Sequence, residues 1–130
     1  MAFPSGHGFE EIRRKAGGLL HAKGPQDLLV ATVTGLPILF RSRDREEPDL
    51  DELAAWAAEL ANLTFATASH LNSGELQRVE LRFEKKSYLL MRDDPFVLLI
   101  RFPETAGKPL GAGRLDDLAE LLQQLHEELN

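Results

Sequence analysis

Residues 76–102 read LQRVELRFEKKSYLLMRDDPFVLLIRF and contain three successive β-strand patterns. Apolar and charged side chains alternate over residues 76–84, which is typical of a strand with one buried face. Residues 87–92 and 96–102 are apolar on both faces, as in central strands that helices cover on both sides. Short polar turns separate the three strands and favour antiparallel pairing. This stretch therefore predicts a mostly antiparallel sheet between helical layers.

The rest of the chain adds two strands and three helices. The β-branched, apolar runs 28–34 and 38–42 lie on either side of Gly35 and predict a hairpin. Apolar residues at helical spacing predict three helices, over residues 9–22, 50–71 and 114–129. The predicted fold class is α/β (α+β), a three-layer sandwich with a five-stranded, mostly antiparallel sheet and the element order α-β-β-α-β-β-β-α.

Composition and charge narrow the class of protein. The chain has 130 residues, 43% of them hydrophobic, so we expect a single domain over residues 9–130 after an N-terminal tail over 1–8. The net charge of −6 disfavours nucleic acid as a partner, because neutralising phosphates requires an excess of cations. The absence of cysteine excludes disulfides and thiolate metal sites. With no signal-peptide pattern and no apolar run of membrane-spanning length, a cytoplasmic location without membrane insertion is expected.

The sequence contains no recognisable motif of catalysis or cofactor binding. It has neither a Gly-x-x-x-x-Gly-Lys-Ser/Thr phosphate loop nor a Gly-x-Ser-x-Gly nucleophile elbow. Its four histidines are far apart and lack the spacing of metal ligands. Arg41, Arg43 and Arg45 are interpreted as charges that keep a sheet edge soluble, and an arginine finger for a nucleotide hydrolase is the alternative. We therefore expect a protein that is not an enzyme, with no catalytic residues, metal or cofactor.

The helix predicted over residues 50–71 has an outer face of small side chains. Large apolar residues fall on one arc, and the opposite arc is weakly polar, with three alanines and two charged residues. Because small side chains let a second backbone approach closely, this outer arc is expected to contact a partner or a second copy. Trp56 and Leu63, one heptad apart, are either core residues or anchors of that interface. The predicted interface residues on this helix are Ala55, Trp56, Ala58, Glu59, Asn62, Leu63, Ala66 and His70.

Two motifs follow one another in the first half of the chain. The first is the hairpin turn Gly35-Leu36-Pro37-Ile38. The second is the opening of the Ala-rich helix, where residues 50–55 read Leu-Asp-Glu-Leu-Ala-Ala. In this order, the two motifs resemble the roadblock / dynein light-chain family and in particular its MglB-like bacterial branch. The remaining strands and the last helix extend the resemblance in pattern over residues 9–129. The chain departs from the family at Thr34, where family members often carry an acidic residue.

The resemblance implies a dimeric module with one helix on one face of the sheet and two on the other. It also implies a non-catalytic scaffold or regulator that binds a Ras-like small GTPase of the MglA type and acts on the GTPase's own catalytic residues. The alternative function is a small-ligand sensor domain of profilin- or PAS-like layout. That alternative needs a gap inside the sandwich, whereas the large side chains on both faces of the central strands predict a filled core.

The one-sided strand over residues 76–84 is expected at an edge of the sheet. The resemblance implies that it pairs with its counterpart in a second copy, in a dimer interface of Arg78, Val79, Glu80, Leu81, Arg82, Phe83 and Glu84. Two-fold symmetry makes this pairing antiparallel. An axis at Leu81 sets Glu80 opposite Arg82, whereas an axis at Glu80 opposes like charges. The alternative is a solvated stripe of charges that pair only within the chain.

Overall fold

The computed structural model describes residues 7–20, 25–43, 47–74, 76, 78–103 and 115–129. Helices and strands follow one another in the predicted order. They are α1 (His7–Gly18), β1 (Asp27–Thr32), β2 (Pro37–Ser42), α2 (Leu50–Ser69), β3 (Val79–Arg82), β4 (Lys86–Asp93), β5 (Phe96–Pro103) and α3 (Leu115–Leu129). Arg45 and the segment before α3 lie outside the described residues.

The strands form a five-stranded sheet in the order β2-β1-β5-β4-β3. All neighbouring strands pair antiparallel. β1 and β2 form one hairpin, β3, β4 and β5 follow one another as a meander, and β5 lies beside β1 to join the two parts. The predicted fold class is confirmed, and so is the position of the one-sided strand, β3, at an edge.

The two faces of the sheet carry separate hydrophobic cores. α1 and α3 cover one face, where Ile12 and Leu125 are buried against the strands. α2 covers the other face, where Ala57 and Ala61 are buried against the same sheet. Strands that are apolar on both sides thus lie between two helical layers, and the implied arrangement of one helix against two is confirmed.

The first helix differs from the predicted range of 9–22. It begins at His7, within the predicted 1–8 tail, and ends at Gly18. An early end is favoured by two consecutive glycines, because glycine is about 1 kcal/mol less favourable than alanine in a helix. The residues 21–24, predicted as the last helical turn and the stop that follows it, lie outside the described part of the chain.

β3 is shorter than the predicted range of 76–84. It comprises only Val79–Arg82, and the Phe83 N–H donates to the Lys86 carbonyl at 2.8 Å to close the two-residue turn into β4. Gln77, within the predicted range, lies outside the described residues. Arg78, Phe83 and Glu84 therefore flank the strand instead of belonging to it. The face of β3 that carries Val79 still points toward the α2 core, as the alternation requires.

The side of α2 that packs on the sheet is rotated from the predicted one. Its buried residues are Ala54, Ala57, Ala58 and Ala61, whereas Trp56 is 41% exposed. The prediction that Ala58 lies on the outer arc is wrong, since its side chain is only 4% exposed. The physical reason is close approach: a helix lies nearest to a sheet along its smallest side chains, and the larger apolar residues pack at the margins.

A buried ion pair ties three strands together at one end of the α2 face. Asp27, whose side chain is 3% exposed, accepts hydrogen bonds from Nε and Nη2 of Arg101 at 2.6 and 3.2 Å. It also accepts one from the Ser42 hydroxyl at 2.6 Å. Both partners lie opposite Asp27 in the strand register, so the group links β2, β1 and β5. Tyr88 of β4 pairs with Arg101 and continues this row toward β3.

Candidate protein interface

Three aromatic rings meet where α2 passes over the edge of the sheet. The ring centroid of Tyr88 lies 6.5 Å from that of Trp56 and 5.9 Å from that of Phe83, in edge-to-face geometry in both cases. Tyr88 belongs to β4, Trp56 to α2, and Phe83 to the turn after β3. Edge-to-face contacts of this kind contribute about 0.5–1.5 kcal/mol each. The rings therefore fix the helix to the edge of the sheet.

This aromatic group is open to solvent. Trp56 is 41% exposed, Phe83 53% and Leu63 64%. Leu63 follows Trp56 by about two helical turns and extends the same side of α2. We call Trp56, Leu63, Phe83 and Tyr88 the aromatic flank. Their exposure shows that Trp56 and Leu63 are not core residues. Their role as interface anchors stays a prediction, based on the rule that grouped apolar side chains on a surface mark sites of protein interaction.

The aromatic flank is continuous with the outer edge of β3. β3 pairs with β4 on one side, and no strand of the described residues pairs with its other side. Leu81 lies opposite Tyr88, and Val79 opposite Leu90, which places the apolar face of β3 on the α2 side. Helix, rings and strand edge thus form one surface. A strand edge next to exposed apolar side chains favours pairing with another chain.

The charged stripe of β3 lies on the opposite face of the sheet. Within the chain, Glu80 contacts Arg82 at 3.5 Å and Arg78 at 3.9 Å. These side chains are between 29% and 41% exposed, so each contact contributes only about 0.2–1 kcal/mol. The within-chain pairing given above as the alternative is therefore present in the single chain. Pairing of the same charges across a dimer stays a prediction.

The interface residues predicted on α2 do not share one side of the helix. Trp56 and Leu63 belong to the aromatic flank. Ala55 instead lies against the β1–β2 turn, where a methyl group added at Gly35 would be 3.3 Å from its Cα. Asn62 donates from Nδ2 to the Val33 carbonyl of the same turn at 2.9 Å. The contacts of Ala55 and Asn62 therefore hold the hairpin turn onto α2, on the side away from β3.

The other predicted residues join neither group. Glu59 and Ala66 are exposed on the outer surface of α2, and His70 is the C-cap residue, with its N–H bonded to carbonyls of the last turn. Tyr88 is central to the aromatic flank but was not predicted, because its strand is apolar on both faces. A tyrosine in an aliphatic strand was the available signal, since its hydroxyl favours a position at the boundary with water.

Where the strands carry large residues, the structure has a small cavity between α2 and the sheet. The cavity there, lined by Leu29, Leu53 and Leu99 among others, has a volume of about 10 Å³. This is no larger than the space that one water molecule needs. A groove of about 460 Å³ lies instead on the surface, between the end of α2 and the β4–β5 turn. Arg92 is one of the residues that line it, ion-paired to Asp94 at 2.7 Å.

The described residues were also compared with the requirements of a metal site and of a membrane-spanning helix. Within those ranges, no three His, Asp or Glu side chains come together in a way that could hold a metal ion. His126 of α3 lies 3.4 Å from Asp93 and packs edge-on against Phe96, which attaches α3 to the β4–β5 turn. Of the helices described, none is long and apolar enough to cross a bilayer.

The chain is similar to a group of known proteins in both sequence and fold. The family described as Roadblock/LC7 domain matches residues 17–102. Among solved structures, one described as MglB with tetrameric arrangement has a TM-score of 0.81 and 23% identity, covering 97% of this chain and 96% of that chain. The gliding protein MglB from Thermus thermophilus has a TM-score of 0.76 and 23% identity, covering 96% and 93%. A Roadblock/LC7 domain from Streptomyces avermitilis has a TM-score of 0.73 and 16% identity, covering 90% and 96%.

No curated protein matches the sequence. At these identities the likeness to solved structures establishes the fold alone. The sequence match is the stronger finding, because it spans more than half of the chain, from the end of α1 through the hairpin and α2 to β5. The predicted resemblance is confirmed, and the chain belongs to the Roadblock/LC7 domain family.

Proposed function

We propose that this protein is a non-catalytic, dimeric regulator or scaffold that binds a Ras-like small GTPase of the MglA type and modulates its nucleotide cycle. The observation that carries the proposal is the exposed aromatic flank beside the outer edge of β3. Two copies can join through that surface and present a pair of α2 helices to a third protein. Family membership supports the choice of a GTPase, because regulation of Ras-like GTPases is the role that the resemblance implies.

Self-association through β3 would pair the outer edge of the strand and bury the aromatic flank in the same interface. A two-fold axis beside β3 would pair the strand with its counterpart and extend the sheet across both chains. Because α2 lies over the same edge, the two aromatic flanks would also approach each other. Burying apolar area stabilises by about 25 cal/mol per Å², and aromatic residues are enriched in interfaces of this kind. The strand edge supplies the direction of pairing, and the flank supplies the apolar surface.

The charges of β3 select the register of the pairing. With the axis at Leu81, Glu80 lies opposite the partner's Arg82 in both copies, which contributes about 0.2–1 kcal/mol per pair. The variant Glu80→Arg replaces these attractions by repulsions. We expect its dimer dissociation constant, measured by sedimentation, to rise roughly tenfold. The increase should be larger at low salt, because salt screens the repulsion.

Two control variants distinguish an effect of the strand register from an effect of the net charge. The exchange Glu80→Arg/Arg82→Glu restores opposite charges across the axis and should dimerise like the wild type. Glu120→Arg, on the exposed side of α3, changes the net charge by the same amount away from β3 and should have no effect. If Glu80→Arg dimerises with an unchanged dissociation constant, the Leu81-centred register is wrong.

The GTPase partner is tested directly with purified proteins. An MglA-type GTPase of the same organism is loaded with GDP or with a non-hydrolysable GTP analogue and titrated with this protein in a calorimeter. We expect binding that depends on the nucleotide, together with a changed rate of hydrolysis or exchange by the GTPase. The protein alone should not hydrolyse GTP, since the sequence carries no nucleotide-binding loop or catalytic constellation. If the protein bound neither the GDP-loaded nor the analogue-loaded GTPase, the proposal would be contradicted.

The small-ligand sensor remains the competing function. Small-ligand sites are clefts or cavities of about 300–1,000 Å³ with mostly apolar linings. The cavity beside Leu29, Leu53 and Leu99 has about 10 Å³, and the surface groove of about 460 Å³ is lined by the ion pair of Arg92 with Asp94. The dimeric regulator is therefore the better supported of the two. A cytoplasmic location and a single domain, with α1 extending it to His7, complete the proposal.

A further inference from the structure

Three arginines lie at the sheet edge opposite β3 and have no carboxylate partner among the described residues. Arg13 belongs to α1, Arg41 to β2, and Arg43 follows β2 directly. Within the described ranges none of them makes an ion pair, whereas the arginines of β3, β4 and β5 all do. The whole chain has a net charge of −6, so this excess of cations is a local feature.

The guanidinium group of Arg41 rests directly on α1. A methyl group added at Gly17 would lie 2.6 Å from its Nη2, an approach that only glycine permits. This contact is near the carbonyl end of α1, where the helix dipole favours a cation. The contact places the guanidinium beside the last turn of α1.

The other two arginines lie on the same side. Arg13 precedes Gly17 by one helical turn, so the two share one side of α1. The Arg43 N–H donates to the Gln26 carbonyl of the neighbouring chain segment, which continues the strand ladder and places Arg43 on the same face as Arg41. Glu10 also lies on this side of α1, one turn before Arg13. Among the described residues of α1 and of the β2 end, this side thus has one carboxylate against three guanidinium groups, and residues 44–46 lie outside that count.

We propose that Arg13, Arg41 and Arg43, the arginine edge, form a docking site for an acidic segment of a partner protein. Guanidinium groups bind carboxylates through paired hydrogen bonds, and a group that is already positioned loses less entropy on binding. β2 and β3 are opposite edges of the sheet. The arginine edge therefore stays accessible in a dimer joined at β3, and the inference does not depend on the proposed function.

The charge of the whole molecule favours a protein segment over an anionic membrane. Electrostatic interactions at physiological ionic strength extend over about 8 Å. A short segment that contacts only the arginine edge experiences mainly its positive charges. A bilayer surface is wider than the domain and also faces the acidic surroundings that give the chain its charge of −6.

The test uses a fluorescein-labelled octaglutamate peptide, with binding to the full chain followed by fluorescence anisotropy. We expect saturable binding that weakens as salt is raised. The variant Arg13→Gln/Arg41→Gln should weaken it at least roughly tenfold, because hydrogen bonds between charged groups are the stronger class. The control Arg14→Gln/Lys15→Gln removes the same charge from exposed residues that pair with Glu11, and should bind like the wild type.

A second pair of variants tests the position of Arg41 without changing any charge. Gly17→Ala should displace the guanidinium and weaken peptide binding several-fold, because the added methyl group collides with the flexible end of the side chain. Gly18→Ala makes the same change next to it, where no atom lies within 4 Å, and should leave binding unaltered. Circular dichroism of all variants confirms that each is folded.

The inference would be overturned if the peptide did not bind at low salt. It would also be overturned if Arg13→Gln/Arg41→Gln and the control Arg14→Gln/Lys15→Gln bound the peptide equally well. Co-sedimentation with phosphatidylserine-containing vesicles that Arg13→Gln/Arg41→Gln abolishes, without peptide binding, would assign the edge to membranes instead. Self-association lost in the same variant would make a second copy the occupant.

Discussion

Replacing Trp56 by arginine should convert the proposed dimer into monomers at protein concentrations at which we expect the wild type to be associated. Trp56 is 41% exposed in the single chain and lies edge-to-face on Tyr88, beside the outer edge of β3. In a dimer joined at β3 this side chain would be desolvated, and a guanidinium in its place would be buried without a partner. An unpaired charge in an interface costs several kcal/mol, so the dissociation constant should rise at least about a hundredfold.

Sedimentation equilibrium over a range of concentrations measures this change. Leu71→Arg is the matched control, since Leu71 is also an exposed apolar residue, at 70%, but lies beyond the end of α2. Leu63→Glu provides an independent variant on the same flank, with a charge of opposite sign. Both flank variants should keep a wild-type circular dichroism spectrum, because neither residue belongs to the buried core. Dimers of unchanged affinity in both variants would exclude the aromatic flank as the interface.

Replacing Arg101 by methionine should destabilise the fold by about 3–5 kcal/mol. The side chain of Arg101 is 15% exposed, and its Nε lies 2.6 Å from the carboxylate of Asp27, whose side chain is 3% exposed. Methionine keeps most of the apolar stem but removes the cation that donates two hydrogen bonds to this buried carboxylate. Since domains of this size are stable by about 5–15 kcal/mol, the loss is a large fraction of the total.

Urea unfolding followed by circular dichroism gives the free energy of unfolding of each variant. Arg92→Met is the matched control, because Arg92 pairs with Asp94 at a similar 2.7 Å, but that carboxylate is 68% exposed. The control should lose no more than about 1 kcal/mol. The double variant Asp27→Leu/Arg101→Met removes both charges and should recover part of the stability lost in Arg101→Met. Equal losses in Arg101→Met and Arg92→Met would show that burial does not set the strength of the Asp27 pair.

The local pattern of apolar and polar residues was sufficient to predict the helices, the strands and the layers in which they pack. The alternation of Val79, Glu80 and Leu81 predicted an edge strand, because a strand's side chains point to opposite faces in turn. The unbroken apolar runs of β4 and β5 predicted strands covered on both sides, because each face must be removed from water. The turn around Gly35 and the helix beginning at Leu50 carried the family resemblance. These features depend on neighbours within a few residues, which the sequence displays directly.

The tertiary structure alone decided how these elements meet. Alanine contributes little to a hydrophobic arc, so the pattern placed Ala58 outside, whereas close packing of α2 on the sheet buries it. The ring contact of Trp56 with Tyr88 and the ion pair of Asp27 with Arg101 join residues far apart in the chain. No periodicity encodes such pairs, because they depend on the sheet order that brings β5 back beside β1 and leaves β3 at the edge. The sequence thus determined the layers and the family, and the sheet order with the rotation of α2 decided which surface is left for a partner.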